Sequence, residues 1–594
     1  MLVEKAANRY AHNQTAVFRL FAMEEVLRGL SVLFLCAVWV PATVLALLLL
    51  MRINSLWAPA SILSLLILGL LTRFLFRNLS RAESLLLTAV VLTATLTATG
   101  ISILFYDITL DGRWYHTDII LGLLQGINPI YQNIPGLDPV WPNHYPKAME
   151  YFSTLVIHNF HYFQLGKIYN FLLMFASASY AGVFFRRLGI KGRHLLLLVA
   201  VTAISPVVAS QMVSFMVDGA MASLLSLMLM TIVSIVFFQG RFDRALFVLT
   251  ASLAIAVKFT GVVYMAAAVL LLLLTRLLLR RRYSAAELRS RLTIDITSAV
   301  FAGCLGLLVL GFNPYVTNII QGKNLFYPLL GPNKIDVMIG NTPLVLLPYN
   351  KPERFLISFF AKSNDYIRPG DAGPPGTSES MVGHLKIPFT VHKEELVCLA
   401  AVDIRLAGWG FFFSGIMLGS MAVFLLARGW RRNASLVLAM VLIVTTTFVN
   451  PECWWARYVP QLALLPVILL VAGLRANSKG LRAVALGLGV LLLLNNLLLL
   501  GGAAGATLIK TIKLNSSFAH IAQVDGPGEY WAYRDPQGPI HYEQFSGLKG
   551  IVICGELDPH ISQLPSGGIP VNANMQNKTE VTLYKGRCST TPPF

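Results

Sequence analysis

The stretch YDITLDGRWYH, residues 106–116, places two carboxylates, an arginine and a histidine among aromatic residues directly after a long apolar run. Asp107 and Asp111 lie four residues apart and would share one face if the segment were helical. A carboxylate here could act as a general base that takes the proton of an attacking hydroxyl. An interfacial aromatic belt would explain Trp114 and Tyr115, but it does not explain charge concentrated beside hydrocarbon, which is costly.

Two cations and a third carboxylate stand at similar boundaries further along the chain. Lys258 interrupts the apolar run ASLAIAVKFTG, and Arg457 lies in NPECWWARYVPQ. Both side chains could snorkel to the interface, but an ammonium before Thr-Gly suits an anionic headgroup, and the planar fork of arginine suits phosphate. Asp218 lies in QMVSFMVDG, where a helix N-terminus would favour an acid as readily as catalysis would.

Other polar and aromatic residues join these as candidate ligands. Arg405 and Lys147 are further candidates for holding a phosphate. The candidates for binding a sugar or an acceptor are His116, His144, Tyr115, Trp454, Trp455 and Glu452. The tryptophans could stack on a sugar or mark the membrane interface. No zinc-type cysteine spacing occurs in the sequence, and a divalent metal is compatible with this chemistry but not indicated by it.

The composition shows what must position these residues. The 594 residues are 56% hydrophobic and only 13% charged, and apolar runs of about 20 residues, the length of a membrane-spanning helix, recur throughout. The sequence therefore predicts an all-α polytopic membrane protein with about 13 transmembrane helices. The predicted spans lie near 29–51, 55–72, 84–106, 166–185, 194–210, 219–238, 245–258, 260–276, 293–312, 407–427, 434–449, 459–474 and 483–501.

The distribution of basic residues sets the predicted orientation. The net charge is +18, and many of the Arg and Lys residues lie in short clusters between spans, such as RRLGIKGR (186–193) and RANSKGLR (475–482). Such clusters mark cytoplasmic loops, and a nucleic-acid partner is not expected because no base-stacking motif accompanies them. With the N-terminus in the cytoplasm every basic cluster falls inside, and nearly every unusual polar motif falls on the extracytoplasmic side.

The chain divides into two predicted domains. Residues 1–505 form the transmembrane domain, and residues 506–594 form a small extracytoplasmic domain with strand-like runs such as GIVIC and VTLYKG. Cys554 and Cys588 both lie in this second domain, where an oxidising compartment would permit a disulfide. The first apolar run follows a long polar stretch and has no small-residue cleavage site after it, so we interpret it as an anchor and not a signal peptide.

Together these residues resemble the GT-C superfamily of integral-membrane glycosyltransferases, which includes the protein O-mannosyltransferases and the aminoarabinose transferases of lipid A. The likeness covers about residues 100–475 as a layout and is carried by short motifs. DGRWYH, with interfacial helices expected after it, resembles the acidic motif of the first large external loop. KFTG and WWARY resemble outer-edge sites for a lipid phosphate.

The resemblance implies a fold of GT-C type and a sugar donor carried on polyprenyl phosphate. The sequence departs from the family in having two spans before the one that leads into the catalytic loop, where many members have one. Trp454 and Trp455 are followed by Ala456, whereas the oligosaccharyltransferase branch has aspartate there. The sequence also lacks an Asp-x-Asp motif, which favours a monophosphate donor over a metal-bound diphosphate donor.

The expected function is transfer of a sugar from a polyprenyl-phosphate donor to an acceptor hydroxyl of a glycan, lipid or protein. Asp111 would be the general base with Asp107 as the alternative, the cations would hold the phosphate, and attack opposite the leaving group would invert the anomeric carbon. No cofactor is expected beyond the lipid-linked donor. The alternatives are a polymerase or ligase of diphosphate-linked glycans, a lipid or glycan transporter, and a non-catalytic assembly factor. The expected location is a bacterial plasma membrane, because no endoplasmic-reticulum retention signal is present.

Overall fold

The computed structural model describes residues 2–53, 57–135, 139–339, 341–364 and 385–524, together with the strand residues 528–533, 551–557, 569–571 and 583–585. The first helices, in chain order, are α1 (Leu2–Leu50), α2 (Trp57–Phe76), α3 (Arg81–Leu104), α4 (Thr117–Leu124), α5 (Val140–His144), α6 (Ala148–Phe160), α7 (Tyr169–Arg187), α8 (Gly192–Ala203), α9 (Pro206–Gln211) and α10 (Asp218–Phe237). They are followed by α11 (Arg241–Val257), α12 (Phe259–Leu278), α13 (Ala285–Cys304), α14 (Thr317–Ile320), α15 (Lys351–Phe360), α16 (Phe413–Leu426), α17 (Gly429–Arg432), α18 (Ala434–Val449), α19 (Leu464–Leu474) and α20 (Lys479–Val524).

Apart from four short strands after Val524, the described part of the chain is helical and forms a polytopic membrane protein. Among the described residues, eight helices are long and apolar enough to cross a membrane. They are Met23–Leu50, Trp57–Phe76, Arg81–Leu104, Phe163–Arg187, Asp218–Phe237, Phe259–Leu278, Ala285–Leu310 and Lys479–Ser516. Each of the other predicted spans overlaps a shorter helix, namely α8, α11, α16, α18 or α19.

The shorter helices have identifiable causes. The span predicted at 194–210 is divided because Ser205 is extended and Pro206, which lacks a backbone N–H, begins the new helix α9. In α19 all residues from Leu464 to Leu474 are buried, so protein and not lipid surrounds this helix. By contrast, α2 and α3 expose leucines and isoleucines along most of their length, as lipid-facing helices do.

The predicted boundary at residues 505 and 506 falls inside a helix. Helix α20 continues to Val524, and at 46 residues it is about 69 Å long, roughly twice the thickness of a hydrocarbon core. Beyond it lie four short strands: β1 (Gly528–Tyr533), β2 (Ile551–Leu557), β3 (Ile569–Val571) and β4 (Leu583–Lys585). They form one sheet in the order β2-β1-β4-β3, in which β1 and β2 are parallel and the other pairs antiparallel.

The disulfide predicted between Cys554 and Cys588 lies outside what the structure describes. Cys588 is not among the described residues, and for Cys554 the structure describes the backbone strand alone. In the part of the chain that the structure describes, Cys36, Cys304, Cys398 and Cys453 do not form disulfides.

Helix ends converge on one end of the bundle and position the candidate site. Helices α3 and α18 end there, and α10, α12 and α19 begin there, so the segments joining them meet. The sharp turn between α11 and α12 depends on Gly261, where a Cβ atom would come within 2.1 Å of the Ala254 carbonyl oxygen. This close approach leaves Lys258 extended between the two helices, at the membrane-boundary end of both.

Candidate functional site

The loop after α3 is organised around Asp107. Its Oδ1 accepts hydrogen bonds from the Thr109 backbone N–H (2.8 Å) and hydroxyl (2.7 Å), and its Oδ2 accepts from the Phe215 N–H (2.6 Å). Residues 105–109 are not helical, so Asp107 and Asp111 do not share a helix face as expected. Asp107 is buried with both oxygens engaged, which makes it an anchor for the loop.

Asp111 differs from Asp107 in exposure and in partner. It immediately precedes a π-helical turn, Gly112–His116, and its side chain is 24% exposed. Its Oδ2 accepts a hydrogen bond from Nη2 of Arg457, 2.6 Å away and 346 residues later in the chain. The carboxylate therefore faces solvent on one side and a cation on the other.

Gly112 allows this local geometry, because a Cβ atom there would lie 2.0 Å from Asp107 Oδ2 and 2.4 Å from Thr109 Oγ1. We expect Gly112→Ala to displace the Asp107 anchor, lower the melting temperature and reduce activity with it. Gly100→Ala in α3 is the matched control, since no atom lies within 4 Å of its added Cβ. Thermal unfolding of both variants checks this; equal melting temperatures would show that Asp107 does not hold the loop.

Asp218 is the first residue of α10, and only 2% of its surface is exposed. Its Oδ1 pairs with Nζ of Lys258, and its Oδ2 accepts from Nε of Arg457 at 2.9 Å and from Gln211 at 3.3 Å. The helix N-terminus adds favourable electrostatics for the carboxylate. Lys258 also lies over the ring of Tyr458, 4.5 Å from its centroid.

Arg457 is the centre of the network. Its Nε, Nη1 and Nη2 atoms each donate to a different carboxylate: Asp218, Asp403 (2.8 Å) and Asp111. Burial would lower the pKa of Arg457, but the three carboxylates raise it well above its usual value. The guanidinium is therefore permanently charged and gathers acids from α10, from the loop after α3 and from the loop before α16.

Asp403 is a site residue that the sequence analysis missed. Its Oδ2 accepts from Arg457 and lies 4.0 Å from Nε of Arg405, while its Oδ1 accepts from the indole N–H of Trp455 at 2.9 Å. Arg405 lies over the Trp455 ring, 4.5 Å from its centroid. The sequence did offer a signal, because Asp403 and Arg405 lie two residues apart in DIRLAGWG. Only Arg405 was named as a candidate for binding phosphate.

The predicted aromatic candidates divide into two groups. Trp454 and Trp455 stack in parallel with centroids 5.4 Å apart, and both are buried. Trp454 donates to Glu452 at 2.6 Å, so Glu452 orients this indole and does not join the ion network. The stack supports the cations beside it, and in this arrangement neither tryptophan face is open.

His116 and Tyr115 lie next to the network on its buried side. Tyr115 contacts the rings of His116 and Tyr145, with centroids 4.3 and 5.2 Å away. Nδ1 of His116 pairs with Oε1 of Glu150, a buried acid of α6 that the sequence analysis did not select. Helix α4, which follows the π-helical turn, is largely buried. The helix that was expected to lie at the membrane interface therefore packs inside the protein instead.

Lys147 and His144 lie in a separate polar cluster. Lys147 is fully buried and donates to the Tyr145 carbonyl oxygen (2.8 Å) and to Asn313, and burial lowers its pKa to about 7. Nε2 of His144 must accept from Nζ of Lys323, since an ammonium only donates, so Nδ1 donates to Asn318 Oδ1. The structure does not bring either residue to Arg457.

The His144 contacts predict a pH-dependent loop. Burial, together with Lys323 and Lys147, lowers the pKa of His144 to about 4. Between about pH 4 and 6.5 the unfolded chain binds more protons than the folded one, so the stability of this region rises with pH in that window and is lost as the pH falls through it. We expect hydrogen exchange in residues 313–328, corrected for its intrinsic pH dependence, to accelerate on acidification. The His144→Gln variant should lack this acceleration, and an unchanged pH response would refute the assignment.

The site combines two cations, two partly exposed carboxylates (Asp111 and Asp403) and one buried carboxylate (Asp218) at one end of the bundle. A small cavity of about 10 Å³ adjoins Arg457 and Asp403, enough for roughly one water molecule. Among the described residues, no group of three or more His, Cys, Asp or Glu side chains is placed to hold a metal ion. The arrangement can hold an anion beside a base.

Comparison with solved structures gives likenesses in fold. No protein-family model matches the sequence, and no curated protein matches it. The structure is similar to that of ArnT from Cupriavidus metallidurans bound to undecaprenyl phosphate, with a TM-score of 0.44 and 11% sequence identity, over 80% of this chain and 86% of that chain. At this identity the likeness concerns the arrangement of helices and assigns no residue a role.

Proposed function

We propose that the protein is a membrane glycosyltransferase that moves a sugar from a polyprenyl-phosphate donor to an acceptor hydroxyl. The observation that carries this proposal is the single network in which Arg457 pairs with Asp111 and Asp218, and Lys258 pairs with Asp218, where the membrane-spanning helices end. A lipid-borne donor presents its phosphate at that depth, and two cations with a carboxylate beside them supply what glycosyl transfer from it requires.

Lys258 and Arg457 would bind the donor phosphate. Both are buried or nearly so, which strengthens their attraction for an anion relative to water. As the glycosidic bond breaks, the electron pair leaves on the phosphate oxygen, and these cations stabilise the charge that develops there. The lipid tail would then lie against α12 and α18, which contact each other and expose Val263, Leu270 and Val444 to lipid.

Asp111 would be the general base. Its carboxylate takes the proton of the acceptor hydroxyl while the oxygen bonds to the anomeric carbon, and polyprenyl phosphate leaves from the opposite face, so the configuration inverts. Asp111 then releases the proton to solvent, to which it is exposed. Asp107 is less suited to this step because its two oxygens already accept three hydrogen bonds inside the loop.

The site would face the extracytoplasmic side. Basic residues follow the opposite ends of helices that meet at the site, with Arg280, Arg281 and Arg282 after α12 and Arg475 after α19. Cytoplasmic loops carry this excess. We place the protein in a plasma membrane, with a glycan, lipid or protein as the acceptor.

A panel of lipid-linked sugars tests this function. Purified wild-type protein is given each sugar on polyprenyl monophosphate or diphosphate, with a membrane extract as the source of acceptor, and the release of free polyprenyl phosphate or polyprenyl diphosphate is measured. We expect release from at least one monophosphate donor and none from diphosphate donors. Release from diphosphate donors alone would indicate a polymerase or ligase. Movement of intact donor across vesicles without release would indicate a transporter.

A further inference from the structure

We propose that Asp403 occupies the position of a donor phosphate oxygen, as an internal anion held by Arg457, Trp455 and Arg405, and must be displaced for the donor to bind. This inference rests on the proposed function and deepens it by locating the anion position and naming its competitor.

Two hydrogen-bond donors and one further cation converge on the Asp403 carboxylate. Nη1 of Arg457 lies 2.8 Å from Oδ2 and Nε1 of Trp455 lies 2.9 Å from Oδ1, while Nε of Arg405 is 4.0 Å from Oδ2. All three groups donate and none accepts, so they form a cradle for an anion. The phosphate of a polyprenyl-phosphate sugar is a diester with one negative charge and two non-bridging oxygens, so it matches a carboxylate in charge and in the number of oxygens that accept hydrogen bonds.

The cradle is held together without Asp403. Both guanidinium groups lie over the buried Trp455 ring, 4.5 Å from its centroid for Arg405 and 5.3 Å for Arg457. Arg457 is also paired with Asp218 at the start of α10, and Arg405 donates to the Asn341 carbonyl oxygen at 2.7 Å. The donors therefore keep their places if the Asp403 side chain turns away.

Asp403 is much more exposed than the other structural acid of the network. It lies in an irregular segment between a 3₁₀ helix (Lys393–Ala400) and α16, and its side chain is 23% exposed. Asp218, by contrast, is 2% exposed and is held by Lys258, Arg457 and Gln211 at a helix terminus. A rotation of the Asp403 side chain into solvent opens the cradle at low cost, whereas moving Asp218 would leave buried charges unpaired.

Displacement has a consequence for affinity. A phosphate that must compete with an internal carboxylate binds more weakly than one entering an open cradle, because part of the attraction of Arg457 is already satisfied. The alternative is that Asp403 only orients Arg457, in which case removing its charge would weaken phosphate binding. The two accounts therefore predict opposite signs for the same substitution.

Equilibrium binding of undecaprenyl phosphate, the lipid product that carries the phosphate group of the donor, to the purified full-length protein in detergent tests the inference. We expect Asp403→Asn to bind about two- to fivefold more tightly than wild type. Asp403→Glu, which keeps the charge, should bind like wild type, and Glu394→Gln, which removes an exposed charge from the same stretch, should not change the affinity. Melting temperatures establish that each variant is folded.

Each outcome is decisive. Tighter binding confined to Asp403→Asn supports the displaced-anion account. Weaker or unchanged binding by Asp403→Asn, with wild type still binding, overturns it and leaves the proposed donor site standing. Equally tighter binding by Glu394→Gln also overturns it, because the change in affinity would then come from the lower negative charge of the protein as a whole and not from Asp403. Failure of every protein, including Asp403→Asn, to bind undecaprenyl phosphate overturns both this inference and the proposed donor.

Discussion

Replacing Arg457 with methionine is expected to destabilise the protein by about 3–5 kcal/mol and to abolish donor binding. The reason is that Asp111, Asp218 and Asp403 would lose their common partner, and Asp218 is buried, so its charge would depend on Lys258 alone. Leaving carboxylates close together without their cation also makes them repel each other. Thermal unfolding in detergent and equilibrium binding of undecaprenyl phosphate measure the two effects.

A milder variant separates stability from binding. Arg457→Lys keeps the positive charge but loses the planar fork that reaches three carboxylates at once, so we expect an intermediate melting temperature and still weak binding. Arg193→Lys is the matched control, because Arg193 is exposed at the start of α8 and should tolerate the change. Wild-type donor affinity in Arg457→Met would contradict the assignment of Arg457 to the phosphate.

Replacing Asp111 with asparagine is expected to slow sugar transfer by about 10²–10⁴-fold without loss of donor binding. Asparagine preserves the shape of the side chain and can still accept a hydrogen bond from Arg457, but it cannot take the acceptor proton. Because Asp111 is 24% exposed, its neutral replacement should cost little stability. The turnover number and the donor affinity, measured on the same preparation, check the two halves of this expectation.

Asp107→Asn is the comparison for Asp111→Asn. Its amide would place a donor group against a backbone N–H or the Thr109 hydroxyl, so we expect a lowered melting temperature and activity lost in proportion to folded protein. If Asp107→Asn stayed folded and lost turnover while Asp111→Asn remained active, the base would be Asp107.

The site could be predicted in part because its residues violate local rules. A lysine inside an apolar run, an arginine beside paired tryptophans and an acid directly after a span are each costly unless they are partnered, so Lys258, Arg457 and Asp111 stand out without a structure. Their partnership could not be predicted, since Asp111 and Arg457 are 346 residues apart and nothing in their spacing specifies contact.

The misses have physical reasons as well. Asp403 lies in LAAVDIRLAGWG, just before the predicted span at 407–427, and only the fold turns it towards Arg457. Lys147 and His144 lie in a loop as polar as that of Asp111, but α6 and the segment around Asn313 and Asn318 hold them elsewhere. The helix expected across Asp107 and Asp111 fails because the Asp107 side chain accepts from the Thr109 N–H, which competes with helical hydrogen bonding.

The arrangement of helices could be predicted from the sequence more fully than the site could. Each span predicted from the length of an apolar run overlaps a helix, because a run long enough to cross a membrane has few structural alternatives to a helix. Hydropathy does not detect where such a run is interrupted: α8 stops before Pro206, and α20 continues well past its apolar part to Val524. These ends depend on proline geometry and on tertiary contacts, such as the Tyr106 hydroxyl donating to Asn515 at 2.7 Å.

The most direct test of the account is a single-turnover experiment on protein loaded with a labelled monophosphate donor identified from the panel. Acceptor is added to loaded wild type and to loaded Asp111→Asn, and the rate at which polyprenyl phosphate is released is followed. We predict rapid release by wild type, with an equal amount of sugar appearing on the acceptor, and release slowed by about 10²–10⁴-fold in the variant that still holds its donor. Equal rates in the two proteins would contradict the central claim that Asp111, beside a phosphate held by Arg457 and Lys258, is the catalytic base.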